Sequence, residues 1–128
     1  MRLLLDTCVF LWFVCGEDRL NAKVLAALKN ADNDLFVSAL SIAEIGIKNS
    51  LLSTRHKIPV IKLLEKSRSS LEIVSLPLSD FEALEMNRLP SIHKDPFDRL
   101  LICQALHHDL TLVTPDEKIH RYPVSYLW

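Results

Sequence analysis

Leu3-Leu4-Leu5-Asp6-Thr7 is the stretch on which the fold turns. Three consecutive apolar residues without alternation read as a strand covered on both faces, the pattern of a parallel sheet rather than of a half-solvated hairpin. The strand is expected at the centre of that sheet. A carboxylate placed directly after it must be hydrated, paired or coordinated, because burying an isolated charge is costly. Asp6 is thus a candidate functional residue from the outset.

Outward from this strand, Cys8 to Val14 reads as a helix packed on the sheet and Gly16-Glu17-Asp18 as a turn. A second helix is predicted over roughly 21–31, with Val24, Leu25 and Leu28 on its apolar stripe. Leu35-Phe36-Val37 is a second strand. Ser41-Ile42-Ala43-Glu44 has capping-box spacing at the opening of a third helix, whose apolar face continues through Ile45, Ile47, Leu51 and Leu52 to about Ser53. After a basic loop over 54–57, Pro59 fits the first turn of a fourth helix carrying Ile61, Leu64 and Leu71, and Ile73 to Leu76 is a third strand.

Ser79-Asp80-Phe81-Glu82 repeats the capping-box spacing and predicts a helix to about Leu89. Asp95-Pro96 opens a long helix to about His108, Leu110 to Val113 is a fourth strand, Thr114 to Glu117 cap a short helix, and Val124 to Leu127 form a fifth, edge strand. Strands alternating with helices predict right-handed crossovers. The expected fold is α/β: three α/β/α layers around a parallel, about five-stranded sheet, with residues 1–128 forming one domain.

A chain of 128 residues with 49% apolar side chains buries a core without disulfides or structural metal. Its net charge of −1 lacks the basic footprint of a sequence-reading DNA binder. Cys8, Cys15 and Cys103 are odd in number and form no C-x-x-C pair, so reduced thiols are expected, with Cys8 and Cys15 buried as small hydrophobes on one helix. The opening MRLLLDTCVFLWFVCG resembles a signal sequence only superficially, since Asp6 interrupts the apolar run and no small-residue cleavage site follows. The apolar run that follows is far below membrane-spanning length. A cytoplasmic protein without membrane contact is expected.

Asp6 follows strand one, Glu44 lies just inside the helix after strand two, Asp98 opens the long helix, and Asp116 follows strand four. All four fall at the edge formed by the carboxyl ends of parallel strands, where open α/β sheets bind ligands. Each also has a capping account: Glu44 through Ser41, Asp98 as a first-turn acid behind the Asp95 cap and Pro96, Asp116 in the first turn after Thr114, and Asp6 or Thr7 as a cap. Together they would repel one another unless a cation sat among them. Carboxylates without a Cys or imidazole cluster suit Mg²⁺ or Mn²⁺ rather than zinc, and one or two such ions support in-line phosphodiester hydrolysis.

The motifs Leu4-Leu5-Asp6-Thr7, Ala43-Glu44-Ile45-Gly46-Ile47-Lys48, His93-Lys94-Asp95-Pro96-Phe97-Asp98-Arg99 leading into Leu101-Ile102-Cys103-Gln104-Ala105, and Leu112-Val113-Thr114-Pro115-Asp116 resemble the PIN-domain family. The likeness is strongest to its bacterial VapC-type toxins. It spans essentially the whole chain and includes the closing Tyr126-Leu127-Trp128. The resemblance implies a Mg²⁺- or Mn²⁺-dependent endoribonuclease acting on RNA as a homodimer and inhibited by a small cognate antitoxin, with Asp6, Glu44, Asp98 and Asp116 as the metal-ligating acids. Two positions depart from the pattern: Cys8 stands where His is usual, and Ala43 where an aromatic is common.

Thr7 and Thr114 are candidate hydrogen-bond donors to the acids, with helix capping an equal account, and Asp95 is a candidate assistant for which the Asp-Pro cap is the stronger account. Lys48 and Arg99 are candidate phosphate contacts, with ion pairing to nearby acids as the alternative. Arg55-His56-Lys57 is a candidate RNA-facing loop or a solvated basic surface. Competing functions fare worse. A haloacid-dehalogenase-like phosphatase needs a second Asp where Cys8 stands, and a phospho-receiver lacks an acceptor Asp after strand three, which ends Ser75-Leu76-Pro77. The alternative retained is a PIN-like module that binds RNA or a partner without cutting.

Overall fold

The computed structural model describes residues 1–128. Five strands, β1 (Arg2–Leu5), β2 (Asp34–Ser38), β3 (Val74–Leu76), β4 (Thr111–Val113) and β5 (Tyr126–Leu127), form one sheet in the order β3-β2-β1-β4-β5. Every pairing is parallel. β1 is central, as the apolar run at Leu3–Leu5 predicts, and β5 lies at an edge, as expected of the last strand. Around the sheet pack α1 (Thr7–Cys15), α2 (Ala22–Lys29), α3 (Ala39–Ser50), α4 (Val60–Ser69), α5 (Asp80–Glu85) and α6 (Pro96–His107). No helix is long and apolar enough to cross a membrane.

The three layers follow from the two-residue period of the strands. Leu3, Leu5, Leu35, Val37 and Val113 point to one face, where Val9, Phe10 and Val14 of α1, Val24 and Leu28 of α2, and Ile45 of α3 bury them. Leu4 and Leu112 point to the other and meet Leu101, Ile102 and Ala105 of α6, closed below by Ile119, Tyr122 and Val124. Leu3, Leu4 and Leu5 are wholly buried. That double coverage is why this strand carries no polar alternation.

Several boundaries move. α3 begins at Ala39 with Ser38, not Ser41, as its N-cap: Ser38 Oγ accepts from the Leu40 amide. The Ser41–Glu44 capping box therefore does not form, and Glu44 stands in the second turn of the helix. α3 also stops at Ser50, and the basic loop is a 3₁₀ turn at Thr54–His56. The Ser79–Glu82 capping box is present, but its helix ends at Glu85 and tightens to 3₁₀ at Met86–Arg88. The short helix after Thr114–Glu117 is a 3₁₀ turn at Ile119–Arg121. Cys15 is exposed rather than buried, at the last turn before Gly16, whose φ of 69° closes α1 in the left-handed region open to glycine.

Candidate active site

The strand order reverses between β1 and β4: the chain proceeds from β1 to β2 to β3 on one side, then returns to place β4 on the other. A crevice at the carboxyl ends of strands is expected at that switch point. Asp6 leaves β1 there, and Thr114 to Asp116 leave β4 beside it, with the Asp6 amide donating to the Val113 carbonyl. Glu44 reaches the same edge from α3, and Asp98 from the first turn of α6.

Asp6 is the N-cap of α1, so the expected capping role is real. Its two oxygens are fixed by different parts of the chain. Oδ1 accepts from the Thr7 amide at 2.6 Å and Oδ2 from the Thr114 hydroxyl at 2.6 Å. Thr114 Oγ1 in turn accepts from the Asp116 amide, so one buried hydroxyl orients two acids. Thr7 contributes through its backbone only; its hydroxyl donates to Ser41 Oγ at 3.0 Å and ties α1 to α3. Burial pushes the Asp6 carboxyl above its ordinary range, against the lowering effect of Thr114 and Thr7 and with an added push from the Glu44 carboxylate.

Asp98 is half-buried in the first turn of α6, behind Asp95, whose side chain caps the Phe97 amide ahead of Pro96. Its carboxyl is pushed up to about 7, by burial first and then by the carboxylates of Asp6 and Asp95, with Glu44 adding to them. This is mutual repulsion at one place, as the clustering of acids predicts. Asp116 lies on the other side of the crevice. Burial raises its carboxyl too, but hydrogen bonds from His93 and from the Lys118 amide outweigh this and hold it below the usual carboxylate range.

His93 is the residue that sequence reasoning missed. Its Nδ1 accepts from the Asp95 amide at 3.1 Å, which leaves the proton on Nε2. Nε2 lies 2.8 Å from Asp116 Oδ2 and 3.0 Å from Asp98 Oδ2, bridging the two acids. His93, Asp98 and Asp116 present their ligand atoms within 4.8 Å of one another. The only available signal was its place two residues ahead of the Asp95 cap, in a loop without periodicity.

Lys48 pairs with Glu44 one turn away at 3.3 Å while remaining largely in solvent. Arg99 turns away from the acids. Its guanidinium donates to the carbonyls of Met86, Leu89, Pro90 and His93 and to the Tyr122 hydroxyl, clamping the segment that carries His93. It pairs with neither Asp95 nor Asp98, against the ion-pairing account. Cys8 Sγ lies 3.7 Å from Asp6 Oδ2, and burial together with the Asp6 carboxylate pushes its thiol up to about 12. Cys8 is therefore a neutral group that adds no charge to the crevice. Ala43 is exposed beside Glu44.

The PIN domain family model matches residues 3–124. The chain belongs to the PIN domain family. No curated protein matches it in sequence. Among solved structures, it is similar to VapBC2 from Rickettsia felis bound to a DNA fragment from its promoter, at 18% identity and a TM-score of 0.74 over 99% of this chain and 98% of that one. DNA-bound VapBC from Salmonella typhimurium gives 15% identity and a TM-score of 0.70 over 99% and 97%. FitAcB from Neisseria gonorrhoeae gives 21% and 0.66 over 98% and 96%. At these identities the likeness concerns the fold, and a PIN fold is what the sheet order and the helices on its two faces build.

Proposed function

We propose that this PIN-domain chain is a divalent-metal-dependent endoribonuclease, the VapC-type toxin of a toxin–antitoxin pair, acting in the cytoplasm as one domain over residues 1–128. The observation that carries the reading is the convergence of acids at the switch point, where the Thr114 hydroxyl joins Asp6 to Asp116 and His93 joins Asp116 to Asp98. Such a cluster is relieved by a hard cation. Asp6, Glu44, Asp98 and Asp116 supply oxygen donors only, which fits Mg²⁺ or Mn²⁺ and disfavours a thiolate-seeking metal. The chemistry a bound divalent ion supplies is activation of water and neutralisation of charge on the leaving oxygen.

The chain's own residues do the positioning. Thr114 and the Thr7 amide hold the Asp6 carboxylate in one plane. His93 holds Asp98 and Asp116 at a common distance from Nε2 and keeps Asp116 ionised. Lys48 offsets the charge of Glu44 and stands at the rim, where a backbone phosphate would approach. Arg99 serves by fixing the loop that carries His93.

RNA as substrate and a homodimeric state rest on the sequence resemblance. An antitoxin partner is supported further by the similar structures, one of which is a toxin–antitoxin complex by name. The test is incubation of labelled single-stranded RNA with the purified chain in Mg²⁺ or Mn²⁺, with and without chelator. Metal-dependent endonucleolytic cleavage supports the reading. RNA binding without cleavage, in either metal, would replace it with the non-catalytic module.

A further inference from the structure

α6 runs antiparallel to the strands, so its two ends lie at opposite edges of the sheet. Asp98 is at its beginning and His107 at its end, nine residues and about 14 Å away at 1.5 Å per residue. At that far end His107 and His108 meet Glu82 of α5. The ligand atoms of the three residues lie within 4.8 Å of one another.

Glu82 is 1% exposed, an unusual state for a carboxylate. The capping box accounts for one of its oxygens only: Oε2 accepts from both the amide and the hydroxyl of Ser79. Oε1 is buried and makes no hydrogen bond. Nε2 of His108 lies 2.5 Å from it, an ion pair when the ring is protonated. His107 is exposed and stacks at a tilt against Phe81, with ring centroids 5.3 Å apart, while its ring stands edge-on to that of His108. A hollow of about 270 Å³ lined by Glu82, Cys103 and His107 opens beside them.

We propose that Glu82, His107 and His108 form a second metal site, specific for a borderline divalent transition metal of the Zn²⁺ class. One carboxylate oxygen and two imidazoles are a donor set for Zn²⁺ with a coordination position left open, richer in imidazole than the crevice, where His93 alone stands among the acids. The capping box acts as the outer support: with Oε2 held by Ser79, Oε1 is aimed at the imidazoles. A metal here joins the start of α5 to the end of α6, on the opposite edge of the sheet from Asp98. The site is independent of the nuclease reading.

The test is calorimetric titration of Zn²⁺ into the untagged full chain carrying Asp6→Asn and Asp98→Asn, which weakens the crevice as a competitor. One Zn²⁺ per chain is expected. His107→Ala and His108→Ala, added singly to that background, are expected to weaken binding at least tenfold. Glu82→Gln is expected to do the same with the fold retained, because Gln serves a capping box as Glu does. Circular dichroism checks each fold, and the ring resonances of His107 and His108 should shift on addition of Zn²⁺. Absence of Zn²⁺ binding at micromolar concentration, or affinity unchanged by the His and Glu82 substitutions, would overturn the proposal and leave a simple His–Glu ion pair.

Discussion

The hydroxyl of Thr114 donates to Asp6 Oδ2 across 2.6 Å, although 108 positions separate the two residues in the chain. Thr114 Oγ1 also accepts from the Asp116 amide, so an uncharged, fully buried side chain sets the spacing of two acids from β1 and β4. Thr114→Val keeps the shape and removes both bonds. It is expected to reduce cleavage or raise the Mg²⁺ requirement by roughly 10–100-fold, at a stability cost of about 1 kcal/mol. Rates across a Mg²⁺ series, with urea denaturation alongside, separate the two effects.

His93→Leu removes the proton donor shared by Asp98 and Asp116. His93 lowers the Asp98 carboxyl against the neighbouring acids, so its loss leaves that carboxyl protonated to higher pH. Activity at neutral pH is expected to fall and to recover in part on raising the pH, with the acid limb of the rate profile displaced to the alkaline side. A profile that keeps its shape at lower amplitude would speak for a purely structural role.

Without metal, the chain should be less stable at pH 8 than at pH 5. Asp98 goes from an ordinary carboxyl of 3.8 in the unfolded chain to about 7 in the folded one. Between those values the folded state binds the extra proton, so its stabilisation is complete below the lower value and is lost as pH rises through the upper one. Asp6 is shifted in the same direction. Asp116 is shifted the other way and matters only in stronger acid. Thermal denaturation across this window should show a falling Tm that added Mn²⁺ restores at pH 8.

Arg99→Met should cost about 2–3 kcal/mol of stability, because four carbonyls and the Tyr122 hydroxyl lose a charged donor. Arg99→Lys should rescue little of it, since a point charge cannot reproduce the planar fork. Denaturant midpoints of the two variants check this. Recovery by Lys to the level of the parent would show that charge alone matters.

Much of this was legible in the sequence, and for physical reasons. Leu3–Leu5 reads as a doubly covered strand because nothing polar interrupts it, and a central β1 with β4 beside it brings Asp6 and Asp116 together at the switch point. Asp95, Pro96 and Asp98 read correctly as the opening of α6 because cap chemistry is local. Capping becomes ambiguous where two serines lie three residues apart. Ser38 and Ser41 both suit the role, and the end of β2, which no local signal marks, decides for Ser38. His93 and Arg99 escaped for a related reason: their partners are Asp116, Tyr122 and a run of carbonyls, all supplied by the tertiary fold.

The most direct measurement compares the unmodified chain with Asp98→Asn for cleavage of one labelled single-stranded RNA in Mn²⁺, with Mn²⁺ binding followed on the same preparations. If the acids of the crevice hold the metal that cuts, Asp98→Asn keeps its fold, binds Mn²⁺ at least tenfold more weakly and loses cleavage. Undiminished cleavage by the folded Asp98→Asn chain, or cleavage that persists in chelator, would contradict the account.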